Sequence, residues 1–317
     1  MVAALILTSL LAAAWGPPQD LLKRGLLALQ QGNIAEARSD LEQASRADPK
    51  NALTWSALAQ TYWKANQPKL ASAAAEKAER FGGRDPVVGH ALAMYYSETG
   101  QLQHAAKLDA QVAFYWTKTL LERGDFTQAA EVAESGLAGH PNDPQMVLTL
   151  GVARYGQRRF NEAIAQFLNV IEIDPQIEQP YVFLGKMLDQ AGPRLDEITR
   201  AYENWASRNP KSAKAKLLLA KALLVKNDHD PRAEALLRES IALDSGDWET
   251  HYELGVLLAS KHDYGAAAKE LQRAIELNPK QAMAHYHLAR IYDRLGEPQR
   301  AQAEREAHQR LTAAPQH

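Results

Sequence analysis

Small and apolar positions recur along this chain at intervals of about 34 residues. Ala129 and Ala163 are separated by one such interval, and so are Ala233, Ala267 and Ala301 in succession. Within each interval, apolar residues return every three or four positions, which is the spacing of one helix face, and no stretch alternates long enough for a strand. A period of this length predicts a stack of helix pairs that bury their apolar faces against their neighbours.

Prolines and glycines mark the ends of these pairs. A proline after Asp, Asn or His is expected to end the second helix of a pair at Pro49, Pro141, Pro175, Pro210 and Pro279. Tight turns between the two helices are predicted at Gly32, Gly100, Gly124 and Gly296. The resulting repeats span residues 18–51, 52–85, 86–109, 110–143, 144–177, 178–212, 213–247, 248–281 and 282–314.

Two repeats show the pattern most clearly. The first of them, Trp248 to Gln281, has Leu254, Gly255, Tyr264, Ala267, Leu271, Ala274 and Pro279 at its characteristic positions. The second, Pro144 to Ile177, has Leu150, Gly151, Phe160, Ala163, Phe167 and Pro175. This pattern resembles the tetratricopeptide repeat family over nearly all of the chain after residue 17. The resemblance implies an all-α fold, a right-handed superhelical solenoid of about nine helix pairs with one pair truncated.

One repeat is too short. Pro86 and Pro141 are separated by one full interval and little more than half of another, so the degenerate repeat 86–109 keeps its first helix and turn but has a shortened second helix. We expect one long helix from Leu102 to Arg123 that serves two repeats. This region and the Gly82-Gly83 loop before it are the expected kink or joint between subdomains; the alternative is a stack that absorbs the deletion.

Residues 1–17 differ from the repeats. Val2 to Trp15 carry no charge, are rich in leucine and alanine, and precede Gly16-Pro17-Pro18. Because a bilayer requires about 20 apolar residues, this run is too short to span one stably. It fits an export signal cleaved after Ala12-x-Ala14, although no lysine or arginine precedes it. The alternative is an apolar helix that caps the first repeat. The signal predicts a periplasmic or secreted protein; without it, the protein is cytoplasmic.

Composition narrows the function classes. Thirty-six basic and 38 acidic residues give a net charge of −2, without the basic patch that nucleic acid requires. The chain has no cysteine and no sequence signature of a nucleotide, zinc-protease or serine-hydrolase site. His251 and His285 share the repeat position of a large packing residue, so we interpret them as packing residues rather than metal ligands. We therefore expect no catalytic residue, no cofactor and no metal.

Binding has better candidates. The resemblance implies that the first helix of each repeat lines an inner groove, at positions one and five residues after the large packing residue. The later position holds Lys118, Lys186, Lys221 and Arg290, a possible ladder of cations, and elsewhere Leu26, Gln60, Val152 and Val256. The earlier position is apolar or aromatic from the fourth repeat on. The predicted partner-binding residues are Phe114, Lys118, Val152, Val182, Lys186, Lys221, Tyr252, Tyr286 and Arg290.

These features indicate a non-enzymatic scaffold that binds an extended peptide or partner surface, with a role in assembly of a bacterial envelope or secretion complex. The alternatives are an accessory or regulatory subunit of an enzyme complex, or a cytoplasmic adaptor. The lysine–asparagine clamp of chaperone-binding members is not matched. Its two positions hold Leu22 and Leu26, Ser56 and Gln60, or Phe114 and Lys118. Partners are therefore expected to be proteins, not nucleic acid, and self-association remains open.

Overall fold

The computed structural model describes residues 17–82 and 84–313, and in these ranges it contains eighteen α-helices and no strand. The first ten are α1 (Pro17–Gln30), α2 (Ile34–Ala47), α3 (Ala52–Lys64), α4 (Pro68–Gly82), α5 (Pro86–Glu98), α6 (Leu102–Leu108), α7 (Ala110–Glu122), α8 (Phe126–Gly139), α9 (Pro144–Gly156) and α10 (Phe160–Ile173). The others are α11 (Gln179–Gly185), α12 (Leu195–Arg208), α13 (Ala213–Lys226), α14 (Pro231–Leu243), α15 (Trp248–Ser260), α16 (Tyr264–Leu277), α17 (Ala282–Leu295) and α18 (Pro298–Ala313). The predicted all-α fold is confirmed.

The chain forms two compact bodies, Met1–Gln166 and Phe167–His317. In the N-terminal body, α1 packs on α2, α3 on α4, α5 on α6, and α7 on α8. In the C-terminal body, α13 packs on α14, α15 on α16, and α17 on α18. Each body has its own apolar core, built mainly from leucine and alanine. The helices are therefore paired as the repeats predict.

No helix in the described ranges is both long and apolar enough to cross a membrane. The predicted export segment lies outside the described residues, apart from Pro17.

Short polar side chains explain where many of the helices begin. The Asn51 side chain accepts a hydrogen bond from the Thr54 amide at 2.9 Å, and so starts α3. Asp143 does the same for two amides at the start of α9, where a proline occupies the first turn. Such caps satisfy amide groups that have no partner inside the helix. The residue types before each apolar stretch thus set the helix starts.

Small residues allow the paired helices to cross closely. A Cβ atom added at Gly25 would lie 2.6 Å from Cγ of Leu41, and one added at Gly255 would lie 2.7 Å from Cγ of Leu271. On the second helices, the repeating alanines are fully buried, at 0% exposure: Ala37, Ala71, Ala105, Ala129, Ala163, Ala233, Ala267 and Ala301. Contact between helices therefore outweighs the low helix propensity of glycine, as the period indicated.

In seven of the repeats, the turn between the paired helices contains one left-handed residue. The four predicted turn glycines, Gly32, Gly100, Gly124 and Gly296, have φ of 79°, 78°, 75° and 76°. Three other repeats place Asn66, Arg158 and His262 there, with φ of 57°, 60° and 64°. Glycine adopts this conformation freely, whereas residues with a side chain adopt it at a cost.

The expectation of one long helix from Leu102 to Arg123 is wrong. Asp109 interrupts it with φ −146° and ψ 120°, and its side chain caps α7 by accepting from the Val112 amide. The shortened second helix is α6, of only seven residues. The joint between bodies is also not at Gly82-Gly83, because α6 packs on α5, α7 and α8 and holds this region in one body.

Candidate functional site

The predicted partner-binding residues all belong to the first helices of their repeats. Phe114 and Lys118 are on α7 and Val152 is on α9, so these three lie in the N-terminal body. The other six lie in the C-terminal body: Val182 on α11, Lys186 at its end, Lys221 on α13, Tyr252 on α15, and Tyr286 and Arg290 on α17. The proposed ladder is thus distributed over two bodies.

Three of the four predicted cations are exposed at the surface. Lys118 is in loose contact with Glu122 of its own helix, at 3.9 Å. The Lys186 ammonium lies 5.4 Å from the centre of the Phe183 ring. Contacts of this kind with exposed groups contribute little to stability. These cations are therefore free to contact another molecule.

Lys221 differs, because its charge is already balanced inside the chain. Its Nζ lies 2.5 Å from Glu249 and 3.4 Å from Glu253, both on α15. Burial tends to lower the pKa of Lys221, but these two carboxylates raise it overall, so the ammonium stays charged. Burial raises the pKa of Glu253. Lys221 therefore acts as a link between α13 and α15, and its charge is not available as that of an exposed lysine.

The structure brings the aromatic candidates of the last two repeats together. Tyr252 and Tyr286 flank His287, with ring-centre distances of 5.8 and 5.4 Å. The guanidinium of Arg290 lies 5.6 Å from the Tyr286 ring. Burial, and then the nearby Arg290, lower the pKa of His287, which favours the neutral ring. The result is a group of rings in edge-to-face contact beside one exposed cation, which we call the aromatic cluster.

The apolar candidates are less exposed. Phe114 packs partly against the core formed by α6 to α9. Val152 and Val182 are half-buried. These side chains contribute as much to the helix packing as to the surface.

His251 and His285 are buried, and both hold structural hydrogen bonds. Nε2 of His251 donates to the Ser245 carbonyl and Nε2 of His285 to the Pro279 carbonyl, each at 3.3 Å, six residues earlier in the chain. Their Nδ1 atoms lie 2.7 and 2.6 Å from a glutamate on the following helix. Trp55 and Tyr181 bond to the carbonyl six residues earlier as well. The large residue of the repeat thus ties its helix to the turn before it.

Among the described residues, no group of three or more His, Cys, Asp or Glu side chains could hold a metal ion.

A cavity that the sequence did not predict lies within the N-terminal body. It has a volume of about 920 Å³ and is bordered by the first helices α1, α3 and α5, by the turn between α6 and α7, and by the end of α8. Its apolar lining includes Leu26, Leu29, Leu53, Val87, Met94 and Leu108. The groove positions of the first two repeats, Leu26 and Gln60, are part of it. In the sequence, the placement of Leu26 and Gln60 at the groove positions of their repeats was the only indication of this cavity.

Several polar pairs line this cavity. Nδ1 of His90 lies 2.8 Å from Oδ2 of Asp109, and the Gln60 side-chain amide donates to the Ala91 carbonyl at 2.8 Å. The hydrogen bond with Asp109 raises the pKa of His90 above its ordinary value, although burial acts in the opposite direction. The cavity therefore combines an apolar floor with a polar wall that includes the titratable pair His90 and Asp109.

Comparison with known proteins identifies the repeat. Four family models, each described as a tetratricopeptide repeat, match residues 28–95, 118–176, 248–281 and 270–303, together more than half of the chain. Human protein O-mannosyl-transferase TMTC3 is 25% identical over 180 residues, which is 54% of this chain and 20% of that protein. The BBSome complex member BBS4 of Bos taurus is 22% identical over 275 residues, 84% of this chain and 53% of that protein. The chain spans about half or less of these relatives' length.

Solved structures with similar helical folds include two that are distant in sequence. MamA from Desulfovibrio magneticus RS-1 is 20% identical, with a TM-score of 0.47, and the match covers 54% of this chain and 96% of that chain. Yeast Tom70 is 13% identical, with a TM-score of 0.49, and the match covers 94% of this chain and 85% of that chain.

Proposed function

The chain belongs to the tetratricopeptide repeat family, and from that membership we propose that it is a non-enzymatic scaffold that binds an extended peptide or partner surface along the first helices of its repeats. The aromatic cluster carries the proposal. Tyr286 is 39% exposed although its ring makes an edge-to-face contact with His287, and the Arg290 guanidinium lies 5.6 Å from the Tyr286 ring. Exposed tyrosine and arginine side by side are typical of protein interfaces.

Binding is a better account of the chain than catalysis. Helical repeats extend from α1 to α18 within the described residues. A separate catalytic domain would require a core of its own, built from about 50 residues or more. An accessory or regulatory subunit of an enzyme complex, the alternative function, would bind its complex through the same surface. Purified protein that turns over a substrate by itself would contradict both.

A photo-crosslinking experiment tests the scaffold function. A benzoylphenylalanine is placed at Tyr286, in the aromatic cluster, or at Lys269, an exposed residue of the second helix α16. We expect a discrete cross-linked protein from position 286 only, and we expect it to be lost in the Lys186→Glu, Arg290→Glu double variant. If both positions give the same cross-linked proteins, or if the double variant leaves these products unchanged, the proposal for this surface is wrong.

We further propose that the scaffold works in the bacterial envelope, in assembly of an envelope or secretion complex. The support is the uncharged run Val2–Trp15 with its Ala12-x-Ala14 cleavage pattern. Residues 1–20 fused to alkaline phosphatase, an enzyme that is active only after export, should give activity and a new N-terminus at Trp15. Retention in the cytoplasm as an uncleaved fusion would favour the cytoplasmic adaptor instead.

A further inference from the structure

We infer that His251 and His285 are two proton-binding sites, and that the second proton on each ring ties together the two helices of its repeat. His251 lies on α15 and faces Glu270 on α16, and His285 lies on α17 and faces Glu304 on α18. The ligand is a proton taken from solvent. The inference is independent of the scaffold function, because it concerns contacts inside the C-terminal body.

Both nitrogen atoms of each ring face an oxygen atom that accepts hydrogen bonds. Nδ1 lies 2.7 Å from a carboxylate oxygen in His251 and 2.6 Å in His285. Nε2 lies 3.3 Å from a backbone carbonyl oxygen in both. A neutral imidazole has one N–H donor, so it can bond to one of these oxygen atoms but not to both. Both contacts are hydrogen bonds only when the ring carries two protons.

Two other repeats show that Nε2 is a donor. Trp55 holds the same repeat position, and its indole N–H, which can only donate, bonds to the Pro49 carbonyl at 2.8 Å. The Tyr181 hydroxyl donates to the Pro175 carbonyl at 3.2 Å. The turn before the helix therefore takes a donor from this position, and Nε2 of both histidines carries a proton. The short distance from Nδ1 to the carboxylate then requires the second proton, and is typical of a charge-assisted bond.

The residue opposite the ring changes with the ring. Trp55 is matched by Ala74 at the facing position of its second helix, and Tyr181 is matched by Ala201. In the repeats with histidine, the same position holds glutamate. In these four repeats, the carboxylate thus occurs where the ring has a second nitrogen to bond, and alanine occurs where it has none.

Burial makes the second proton important for the packing. His251 and His285 are 6% and 8% exposed. Among residues 17–82 and 84–313, Glu270 and Glu304 are the only carboxylates within 4 Å of the two rings. An unprotonated Nδ1 would place its lone pair against a carboxylate, with little water to separate them. Loss of the proton therefore removes one hydrogen bond between the two helices of each repeat.

Other charged groups near the two rings are bonded elsewhere. Asp247, in the turn before α15, accepts from the Thr250 hydroxyl at 2.5 Å. Nδ1 of His308 on α18 bonds to the Ala282 carbonyl at 3.0 Å, and this third imidazole is present in every variant below. Ion pairs on the surrounding helices are Glu234–Arg238 on α14, Arg273–Glu276 on α16, and Asp293 of α17 with Arg305 of α18.

Nuclear magnetic resonance of the full chain with ¹⁵N-labelled histidine counts the ring protons directly. His251→Gln and His285→Gln assign the two rings. At pH 7.5 we expect a proton on both nitrogen atoms of each ring. His229, in an exposed loop, is the reference and should have one ring proton at this pH. A bare nitrogen in either buried ring at pH 7.5 would overturn the inference.

The double variant Glu270→Gln, Glu304→Gln tests the effect on stability. A glutamine amide can donate to Nδ1, so a neutral ring then makes both contacts. In the unchanged chain, the folded state holds more protons than the unfolded state, so the urea midpoint should fall as the pH rises from 6 to 9. This fall should be smaller in the double variant. The control, Glu276→Gln with Glu306→Gln, makes the same charge change at exposed positions of α16 and α18 and should keep the full fall.

A swap within the chain provides a second variant. His251→Trp with Glu270→Ala copies the pair Trp55 and Ala74, and should keep its helices by circular dichroism while losing about half of the pH dependence that the two sites supply. An equal fall of the urea midpoint in the unchanged chain, the glutamine double variant and the control would show that no second proton is held. No partner takes part in these measurements, so that result would leave the scaffold function untouched.

Discussion

Steric room at single positions decides where the helices of a repeat can cross. Gly255 on α15 faces Leu271, whereas Gly265 on α16 has no atom within 4 Å of an added Cβ. The repeat pattern predicts which positions must be small. The space around these two glycines of one repeat differs only because of the packing of α15 on α16, which the pattern does not contain.

Gly255→Ala should lower the free energy of unfolding by about 1–3 kcal/mol, because the new methyl group would lie 2.7 Å from Leu271 Cγ and 3.2 Å from its backbone nitrogen. Urea unfolding followed by circular dichroism measures the change. Gly265→Ala is the control, and should be neutral or stabilising by up to about 1 kcal/mol through helix propensity. Equal losses in the two variants would show that crowding at the crossing is not the cause.

Arg158→Gly should raise the free energy of unfolding by about 0.5–1 kcal/mol, because the φ of 60° strains a residue with a side chain. Arg158 is also exposed, so the lost side chain contributes little. The converse change, Gly124→Ala at φ 75°, should lower stability by about 1 kcal/mol without any clash. Both are read from thermal melts, and a loss in the first variant would contradict the strain argument.

The turn glycines were predictable from the sequence, but Asn66, Arg158 and His262 were not. Nothing in an arginine signals a left-handed residue, because the helices on either side impose this conformation against the local preference. His251 and His285 show the same limit. Their position in the repeat predicted a packing role. Their hydrogen bonds to the preceding turn depend on interatomic distances, which cannot be read from a position in the repeat.

At the level of elements, α6 is the main departure from the repeat. The spacing of prolines predicted its shortening, but the expected fusion with α7 missed a local signal. Asp109 precedes Ala110, Gln111 and Val112, and an aspartate before an apolar helix is a capping residue. The helical spacing of apolar residues continues on both sides of Asp109. The apolar pattern alone therefore does not show that α6 and α7 are separate helices.

Asp109→Ala should destabilise the N-terminal body by about 1–2 kcal/mol, because α7 loses its cap and His90 loses its partner. Chemical unfolding of the full chain measures it. Asp125→Ala is a suitable comparison, since Asp125 caps α8 through Gln128 but has no histidine partner. If the two losses are equal, the His90 contact contributes nothing measurable.

The same pair predicts a pH dependence. The pKa of His90 is raised above 6.5 by its bond to Asp109, so its contribution is complete below pH 6.5 and is lost as the pH rises through the raised value. Burial opposes the shift at Asp109, but His90 and an amide lower its pKa below 3.8 overall, so that contribution is lost in acid. Stability from the pair is therefore greatest between about pH 4 and 6.5.

Thermal melts from pH 3 to 9 test this window. Asp109→Asn keeps a capping side chain but removes the charge, and the difference from the unchanged chain should shrink above neutrality. Both proteins keep the other titratable groups that line the cavity, so the difference removes their contribution: Lys64, Arg84, Asp85, Glu98, Lys107 and His140. If the difference in melting temperature is constant from pH 5 to 9, His90 does not contribute to the pH dependence.

At the scale of the whole molecule, each helix is stabilised mainly by the helices next to it in sequence. Each body has its own core, and within a body each helix packs mainly on its neighbours in sequence. In such arrays, the free energy is approximately a sum over repeats and their adjacent contacts. A change in one repeat should thus be felt over a short range only.

Hydrogen exchange measures this range. In Gly255→Ala, amides of α15 and α16 should exchange faster, with a smaller effect in α14 and α17, while α1 to α5 should keep their rates. Uniform acceleration over all described helices would mean that the chain unfolds as a single cooperative unit.

The sequence predicted the architecture but not the cavity. The period, the alanines and the prolines determine helix pairs because they act between neighbours. The cavity depends on Gly139 meeting the distant Lys107, and on the backbone positions of a shortened helix. The groove register therefore identified Leu26 and Gln60, whereas Arg84 and Lys107 could not be found from it.

The bond from the large repeat residue to the carbonyl six positions earlier has a consequence for engineered arrays. Tryptophan, tyrosine and histidine all serve at this position in one chain, because each combines a ring with a donor at its far edge. Phenylalanine has the ring without the donor. Consensus libraries that treat this position as merely aromatic would thus mix repeats whose loops are anchored with repeats whose loops are not, and would misattribute the resulting scatter in melting temperature to core volume.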